Sequence, residues 1–316
     1  MERNPFVHVV APEDDGLPLR TVLRHRMGLS RTLVIRLKRK EDGILLNGVR
    51  TPVNAKVRAG DRVEVRLPEE TAGAIEPEPI PIDVLYEDDD LLVVNKPAGL
   101  VVHPTRGFHG GTLANGVIHH WRQRGLSIRF RPVHRLDRDT SGVLAIAKNA
   151  FVHERLSRQL QAGRVEKTYC AFVFGRPDPP SGIVEAPIGR SADRPGMRVV
   201  RPDGAPSVTR YETVESWGAV SLLRVRPVTG RTHQIRVHMR HIGHPIVGDP
   251  LYAADRPPPP GAGIGRQALH AVSLGFEHPV TGRRVTFRAP LPADLVRLMG
   301  ALAAPDNERS EPSCVD

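Results

Sequence analysis

"HRLDRDTSGVLAIA", His134 to Ala147, puts charged and apolar sequence side by side. Its first nine residues hold two aspartates, two arginines and a histidine, and Val143 to Ala147 are wholly apolar. A short apolar run after Thr140-Ser141-Gly142 predicts a buried strand fed by a turn. Asp137 and Asp139 are two apart, so extended backbone would aim both to one side, whereas a tight turn would separate them. The residues alone allow a plain structural use, with one aspartate in an Asx-turn and the other paired with Arg135 or Arg138. They also allow phosphate handling, a metal site or a nucleophile.

Strand signals recur on both sides, at residues 84–86, 91–95, 100–103, 165–174 and 222–225. Helical periodicity is confined to about 112–122, 150–161 and 232–242. Strands outnumber helices and hairpins recur, which predicts an α+β unit over residues 83–300 with a mixed, mainly antiparallel sheet. Residues 256–265, with four consecutive prolines, read as a loop, and residues 301–316 as a disordered tail.

Residues 1–68 read as a separate small module. A short helix is expected at 17–27, and Ser30 is placed to cap a second helix at 31–40. There Leu33, Val34 and Leu37 share an apolar face, while Arg31, Arg36, Lys38, Arg39 and Lys40 cover the rest. Asn47-Gly48 between Ile44-Leu45-Leu46 and Val49 is a tight-hairpin signal. Residues 62–67 alternate, with Val63, Val65 and Leu67 expected inward and Arg62, Glu64 and Arg66 outward. Residues 69–82, acidic and proline-bearing, read as a semi-rigid linker.

The formal net charge is +10 over 316 residues. Arg20 to Arg66 holds thirteen Lys/Arg against four Asp/Glu, a surplus of nine in under a sixth of the chain. Such a patch is the footprint of a polyanion partner. No apolar stretch approaches the roughly 20 residues of a membrane span, and no apolar signal core follows the first charges. A cytoplasmic protein without a membrane partner is therefore expected. Cys170 and Cys314 are the only cysteines, which disfavours a disulfide scaffold or a thiolate zinc site.

Two further stretches carry candidate chemistry. "VEKTYCAF" puts Lys167 and Tyr169 on one face of a strand. "PVTGRTHQIRVHMRHIGHPIVGD", 227–249, predicts a helix with Ile235, Met239 and Ile242 on an apolar face and Arg236 and Arg240 on another, closed by Gly243.

"HRLDRDTSG", "EKTY", "GRTHQIRVH", "NKPAGLVVHP" (95–104) and "LHA" (269–271) together resemble the RluA family of RNA pseudouridine synthases, in order and spacing. Residues 29–65 resemble the alpha-L type RNA-binding domain, a frequent companion of that family. The resemblance implies a pseudouridine synthase fold behind a small RNA-binding domain. It implies that Asp137 is the catalytic aspartate and that Arg236 pairs with it. It further implies that Tyr169 packs on the target base and takes part in removing its C5 proton, and that Arg135 fills the gap left by a flipped base. Arg31, Arg36, Lys38, Arg39 and Lys40 would lie along the RNA backbone. Rearranging a uridine needs no ATP, redox cofactor or metal, because the C–C glycosidic link is the more stable one. The implied substrate is large-subunit ribosomal RNA, with transfer RNA as the alternative, and a monomer is expected.

Three rivals compete. His238, His241 and His244, followed by Asp249, have a spacing that could serve a metal, but Gly243 and Pro245 break the helix before the third histidine. "HRLD" resembles a kinase catalytic loop but lacks the glycine-rich loop and the downstream asparagine. A non-catalytic RNA-binding or assembly factor would not need Asp137, Tyr169 and Arg236 together.

Overall fold

The computed structural model describes residues 5–67, 73–105 and 109–304. The amino-terminal sheet comprises β1 (Phe6–Val9), β2 (Ile44–Leu46), β3 (Val49–Arg50) and β4 (Arg62–Val65), antiparallel in the order β1-β4-β2-β3. α1 (Leu19–Thr21) continues into a π turn at Val22–Arg26, and α2 (Arg31–Leu37) follows. Ser30 Oγ accepts the Leu33 amide at 3.1 Å, capping α2. Asn47 and Gly48 both have positive φ, 51° and 79°, as a two-residue hairpin turn requires.

The large sheet is built from β5 (Asp83–Glu87), β6 (Leu91–Lys96), β7 (Ser141–Ala147), β8 (Glu166–Phe174) and β9 (Ser181–Glu185). β10 (Ile188–Arg190) and β11 (Arg198–Val200) form a separate hairpin. β12 (Val208–Trp217), β13 (Val220–Pro227), β14 (Leu269–Glu277) and β15 (Arg284–Arg288) complete the sheet. Its order is β5-β6-β7-β14-β8-β13-β12-β9, with β15 on β14; β7 and β14 pair in parallel and the other pairs are antiparallel. Four helices flank it: α3 (Leu113–Arg122), α4 (Ala150–Gln161), α5 (Gln234–His241) and α6 (Ala293–Ala303). None of the helices in the described residues is long and apolar enough to cross a membrane.

β7 is buried at every position because cores lie on both its faces. Leu144 and Ile146 join one core with Leu92, Val94 and the α3 residues Val117, Ile118 and Trp121. Val143, Ala145 and Ala147 join the other with Leu91, Val93 and the α4 residues Phe151, Val152 and Leu156. A strand covered on both sides reads as a continuous apolar run. Truncating Leu144 to alanine in such packing costs about 2–5 kcal/mol.

The second core also contains the amino-terminal residues Leu23, Leu37, Val63 and Val65. Phe6 packs on Phe151 of α4 with ring centroids 4.7 Å apart. Arg155 and Arg158 of α4 donate to the carbonyls of Met27 and Gly28, each at 3.2 Å. Gly28 itself has φ +71°, a left-handed conformation that favours glycine.

Several expectations are corrected. α2 ends at Leu37, not Lys40: Arg39 and Lys40 donate their amides three residues back, to Arg36 and Leu37, and a Cβ at Gly43 would meet the Leu37 carbonyl at 2.3 Å. The chain therefore turns at once, and Arg39 and Lys40 sit in that turn. Residues 100–103 form only a single bridge, Val101 to Thr112; the Leu100 carbonyl accepts from Lys96, and those of Val101 and Val102 accept the Leu113 and Ala114 amides at the start of α3. α5 starts at Gln234 rather than Thr232, since His233 is left-handed at φ 58°. Glu64 is buried beside Arg62 instead of facing outward. The proposed linker is held in its second half, where Asn115 Nδ2 donates to the Glu76 carbonyl at 2.8 Å and Glu78 accepts the Gly111 amide at 3.0 Å. The proposed tail overlaps α6, whose Leu295, Leu298 and Leu302 enter the first core; its remainder, residues 305–316, lies outside the described residues.

Candidate active site

The charged turn is fixed through its backbone, which leaves its carboxylates to other uses. Lys96, at 0 % exposure, donates to the carbonyls of Pro97, Leu100 and Arg138 at 2.7, 2.8 and 2.9 Å. Burial pulls this ammonium down to about 7, against the opposing charges of Asp139 and Asp137. Arg266 pairs with both oxygens of Asp294 and donates to the carbonyls of Asp139, Gln267 and Leu269. The Thr140 amide closes the turn on the Asp137 carbonyl at 3.1 Å. At Gly142, φ is +117° and a Cβ would lie 2.2 Å from the Ala271 carbonyl, so only glycine lets β7 pair with β14 there.

The two aspartates diverge. Asp139 pairs with its neighbour Arg138 at 3.0 Å. Asp137, 18 % exposed at its side chain, turns into a cleft where Arg236 Nη1 donates to its Oδ2 at 3.2 Å. Arg236 is itself only 4 % exposed. Its Nε and Nη2 donate to the two oxygens of Asp249 at 2.7 and 2.8 Å, and its guanidinium lies 5.0 Å from the centre of the Tyr252 ring. Burial works against this cation, but the hydrogen bonds and charges of Asp249 and Asp137 outweigh it and hold its pKa above the usual arginine value. Asp249 also accepts the amides of Leu251 and Tyr252 at 2.9 and 3.1 Å. The bidentate pair thus sets the plane of the guanidinium, and its remaining arm points at Asp137.

His233 stands beside this pair, with Nε2 4.0 Å from Asp137 Oδ2 and Nδ1 2.9 Å from the Tyr252 hydroxyl. Burial lowers its pKa, with Asp137 opposing. The loop before it is held by Gln234, whose Oε1 accepts from Thr229 Oγ1 at 2.7 Å and the Arg231 amide at 2.9 Å.

Asp137 lies at the junction of two cavities, of about 540 and 380 Å³, which share Arg135, Leu136, His233 and Arg236 as walls. Tyr169 and Lys167 line the larger one from the same face of β8. Burial, then the charge of Asp137, raise the Tyr169 phenol well above its ordinary value. Arg135 is exposed at the mouth of both cavities.

Asp137, Tyr169, Arg236 and Arg135 are therefore brought together. Arg31, Arg36, Lys38, Arg39 and Lys40 line neither cavity; the first four are exposed and Lys40 is half-buried. The histidines weighed as metal ligands have separate tasks. His238 Nε2 donates to the Ala186 carbonyl at 2.9 Å and its Nδ1 meets Thr209 Oγ1 at 2.8 Å, while His244 Nδ1 donates to the Phe174 carbonyl at 2.8 Å. His241 is exposed, and among the described residues no three His, Cys, Asp or Glu side chains are grouped to hold a metal ion. Asp249 instead serves Arg236, a role that sequence reasoning missed. The available signal was charge accounting, since an arginine on a buried helix face requires a carboxylate.

The sequence profile of the RNA pseudouridylate synthase family matches residues 90–241. The uncharacterized RNA pseudouridine synthase YlyB of Bacillus subtilis (strain 168) is 45 % identical over 264 residues, spanning 82 % of this chain and 86 % of that one. Ribosomal large subunit pseudouridine synthase D of Escherichia coli (strain K12) is 38 % identical over 278 residues, spanning 85 % of each chain. Among solved structures, human RNA pseudouridylate synthase domain containing 4 superposes with a TM-score of 0.58 at 25 % identity, covering 70 % of this chain and 92 % of its own. With relatives this similar along most of its length, the chain belongs to the RluA family and is an RNA pseudouridine synthase, an isomerase acting on RNA.

Proposed function

We propose that the enzyme isomerises uridine in large-subunit ribosomal RNA and uses Asp137 as its catalytic carboxylate. The observation that carries the assignment is the arm of Arg236, which Asp249 locks in place and which reaches Asp137 at the junction of the two cavities. A carboxylate held against a fixed guanidinium is aimed into the cleft, as attack or proton removal requires. The choice of RNA is supported by relatives named ribosomal large subunit pseudouridine synthase D.

In this reading the target base leaves its stem, at a cost of a few kcal/mol, and enters the larger cavity. Tyr169 packs against it there. Its phenol is held protonated, so removing the C5 proton through this group would require its own proton to be passed on first. Arg135, exposed at the mouth, fills the vacated stack. The amino-terminal module, an alpha-L type domain in this reading, docks on backbone phosphates through Arg31, Arg36, Lys38, Arg39 and Lys40, and these contacts offset the cost of flipping.

The test is pseudouridine mapping by carbodiimide-dependent reverse-transcription stops. RNA from cells lacking the gene is compared with RNA from cells restored with wild type or Asp137→Ala. The expected result is a stop in large-subunit ribosomal RNA restored by wild type alone. A restored stop in transfer RNA moves the substrate, and restoration by Asp137→Ala removes Asp137 from the chemistry.

A further inference from the structure

The larger cavity holds a cation that no element of the site uses. The three buried or half-buried lysines of the catalytic unit are satisfied differently. Lys96 has three carbonyl partners, and Lys148 has the Glu87 carboxylate at 3.1 Å and the Asp88 carbonyl. Among the described residues Lys167 has one partner of this kind, the Thr229 carbonyl at 3.1 Å, and its side chain lines the cavity beside Tyr169. An ammonium carries three donors. Burial pulls this one down to about 8, and among the described residues it forms no ion pair with a carboxylate. Gly230 of the adjoining loop lies against the ammonium, where a Cβ would already be in van der Waals contact with Nζ at 3.8 Å, and the same glycine and Lys167 both line the cavity. A cation taken out of water without an anionic partner is costly, and it strongly favours an anion that enters the cavity.

The isomerisation generates that anion. When the N1–C1′ bond breaks heterolytically, its electron pair stays on N1 and spreads onto the uracil oxygens O2 and O4. When C5 bonds to C1′, a pair enters the new C–C bond, the C5 proton leaves and N1 takes up a proton, so the composition is unchanged. If Asp137 first adds to C6, the displaced pair again reaches O4. Either course puts negative charge on a carbonyl oxygen of a base packed on Tyr169. Lys167 lies two residues before Tyr169 on β8, roughly 6.5–7 Å along the strand.

We propose that Lys167 is a catalytic residue that donates a hydrogen bond to a carbonyl oxygen of the flipped uracil and stabilises the negative charge the ring acquires while detached. This rests on the reading that the larger cavity receives the target uridine. Positioned donors aimed at developing charge are worth about 10²–10³ in rate.

The experiment uses the full-length enzyme in single turnover on an RNA fragment spanning the mapped uridine, with binding measured across a salt series. Lys167→Met should slow the saturating rate about 100-fold, with affinity within about twofold and an unchanged salt slope. Lys167→Arg, which keeps the charge, should recover at least about tenfold of that loss. A Lys167→Met enzyme within about threefold of wild type overturns the inference. So does an unchanged saturating rate with a salt slope reduced by about one, the mark of a phosphate contact. Thermal melting checks that the variants fold, and Lys167→Gln replaces Lys167→Met if the latter does not. An inactive wild-type enzyme overturns the reading of the cavity itself, whereas active wild type, inactive Asp137→Asn and active Lys167→Met overturn only the role of Lys167.

Discussion

In the amino-terminal module Arg31, Arg36, Lys38 and Arg39 stand exposed, whereas in the cleft Arg236 is 4 % exposed and bonded to two aspartates. The same type of charge is put to different uses. Exposed cations keep their rotamer freedom and release counterions from any phosphate they meet, which yields affinity with little geometry. The buried guanidinium is desolvated and held by a bidentate pair, which yields geometry and costs stability wherever a partner is missing. Composition reports the first kind well, because it needs only number and density. The second kind depends on which residues meet.

The sharpest way to break this contrast is Asp137→Asn, which should abolish isomerisation and leave RNA affinity within a few-fold, read by turnover and filter binding. Comparable losses in both would mean that the cleft, too, acts mainly through affinity. Asp249→Ala comes next. It strands the buried Arg236, so urea unfolding should show a loss of about 3–5 kcal/mol, with activity falling as well. An unchanged midpoint would show that Arg236 is held by other contacts.

A third prediction concerns pH. Burial holds the His134 ring at about 4, while an unfolded histidine titrates near 6.5. The unfolded state therefore takes up a proton that the folded state refuses. The resulting stability is fully present above about pH 6.5 and is lost as pH falls through about 4. Stability measured between these values should fall more steeply in wild type than in His134→Gln; parallel curves would show that the ring titrates alike in both states. The smallest effect belongs to the module. Replacing Arg31, Arg36 and Arg39 by alanine should lower the salt slope of binding by about 0.7–0.9 for each phosphate contact removed, and leave the saturating rate unchanged.

Elements with a strong local signal were legible. α4 runs over the expected 150–161, and β7 contains the apolar run 143–147. Ser30 and Asn47-Gly48 act as their residue types predict. The outer strands were not legible. β12 is exposed or half-buried along most of its length, so its Val208–Trp217 sequence shows little apolar patterning. β1 was missed because its partner β4 lies more than fifty residues away in the chain. At the site, Asp137, Tyr169 and Arg236 sat within short motifs. Asp249 did not: its meaning comes from a turn that brings it back to Arg236, thirteen residues earlier, and spacing alone read it as a possible metal ligand.

The contact of the amino-terminal sheet with α4, made by Phe6 on Phe151 and by Arg155 and Arg158 on the Met27 and Gly28 carbonyls, has a metrical consequence. A module on a loose tether would sample many separations from Asp137 and accept uridines at many positions. One seated on the catalytic body would act as a ruler: if its basic residues engage the RNA as proposed, the span to the cleft would be set. Target choice would then be read as a length between two points on a folded RNA, and bases in between would be free to vary.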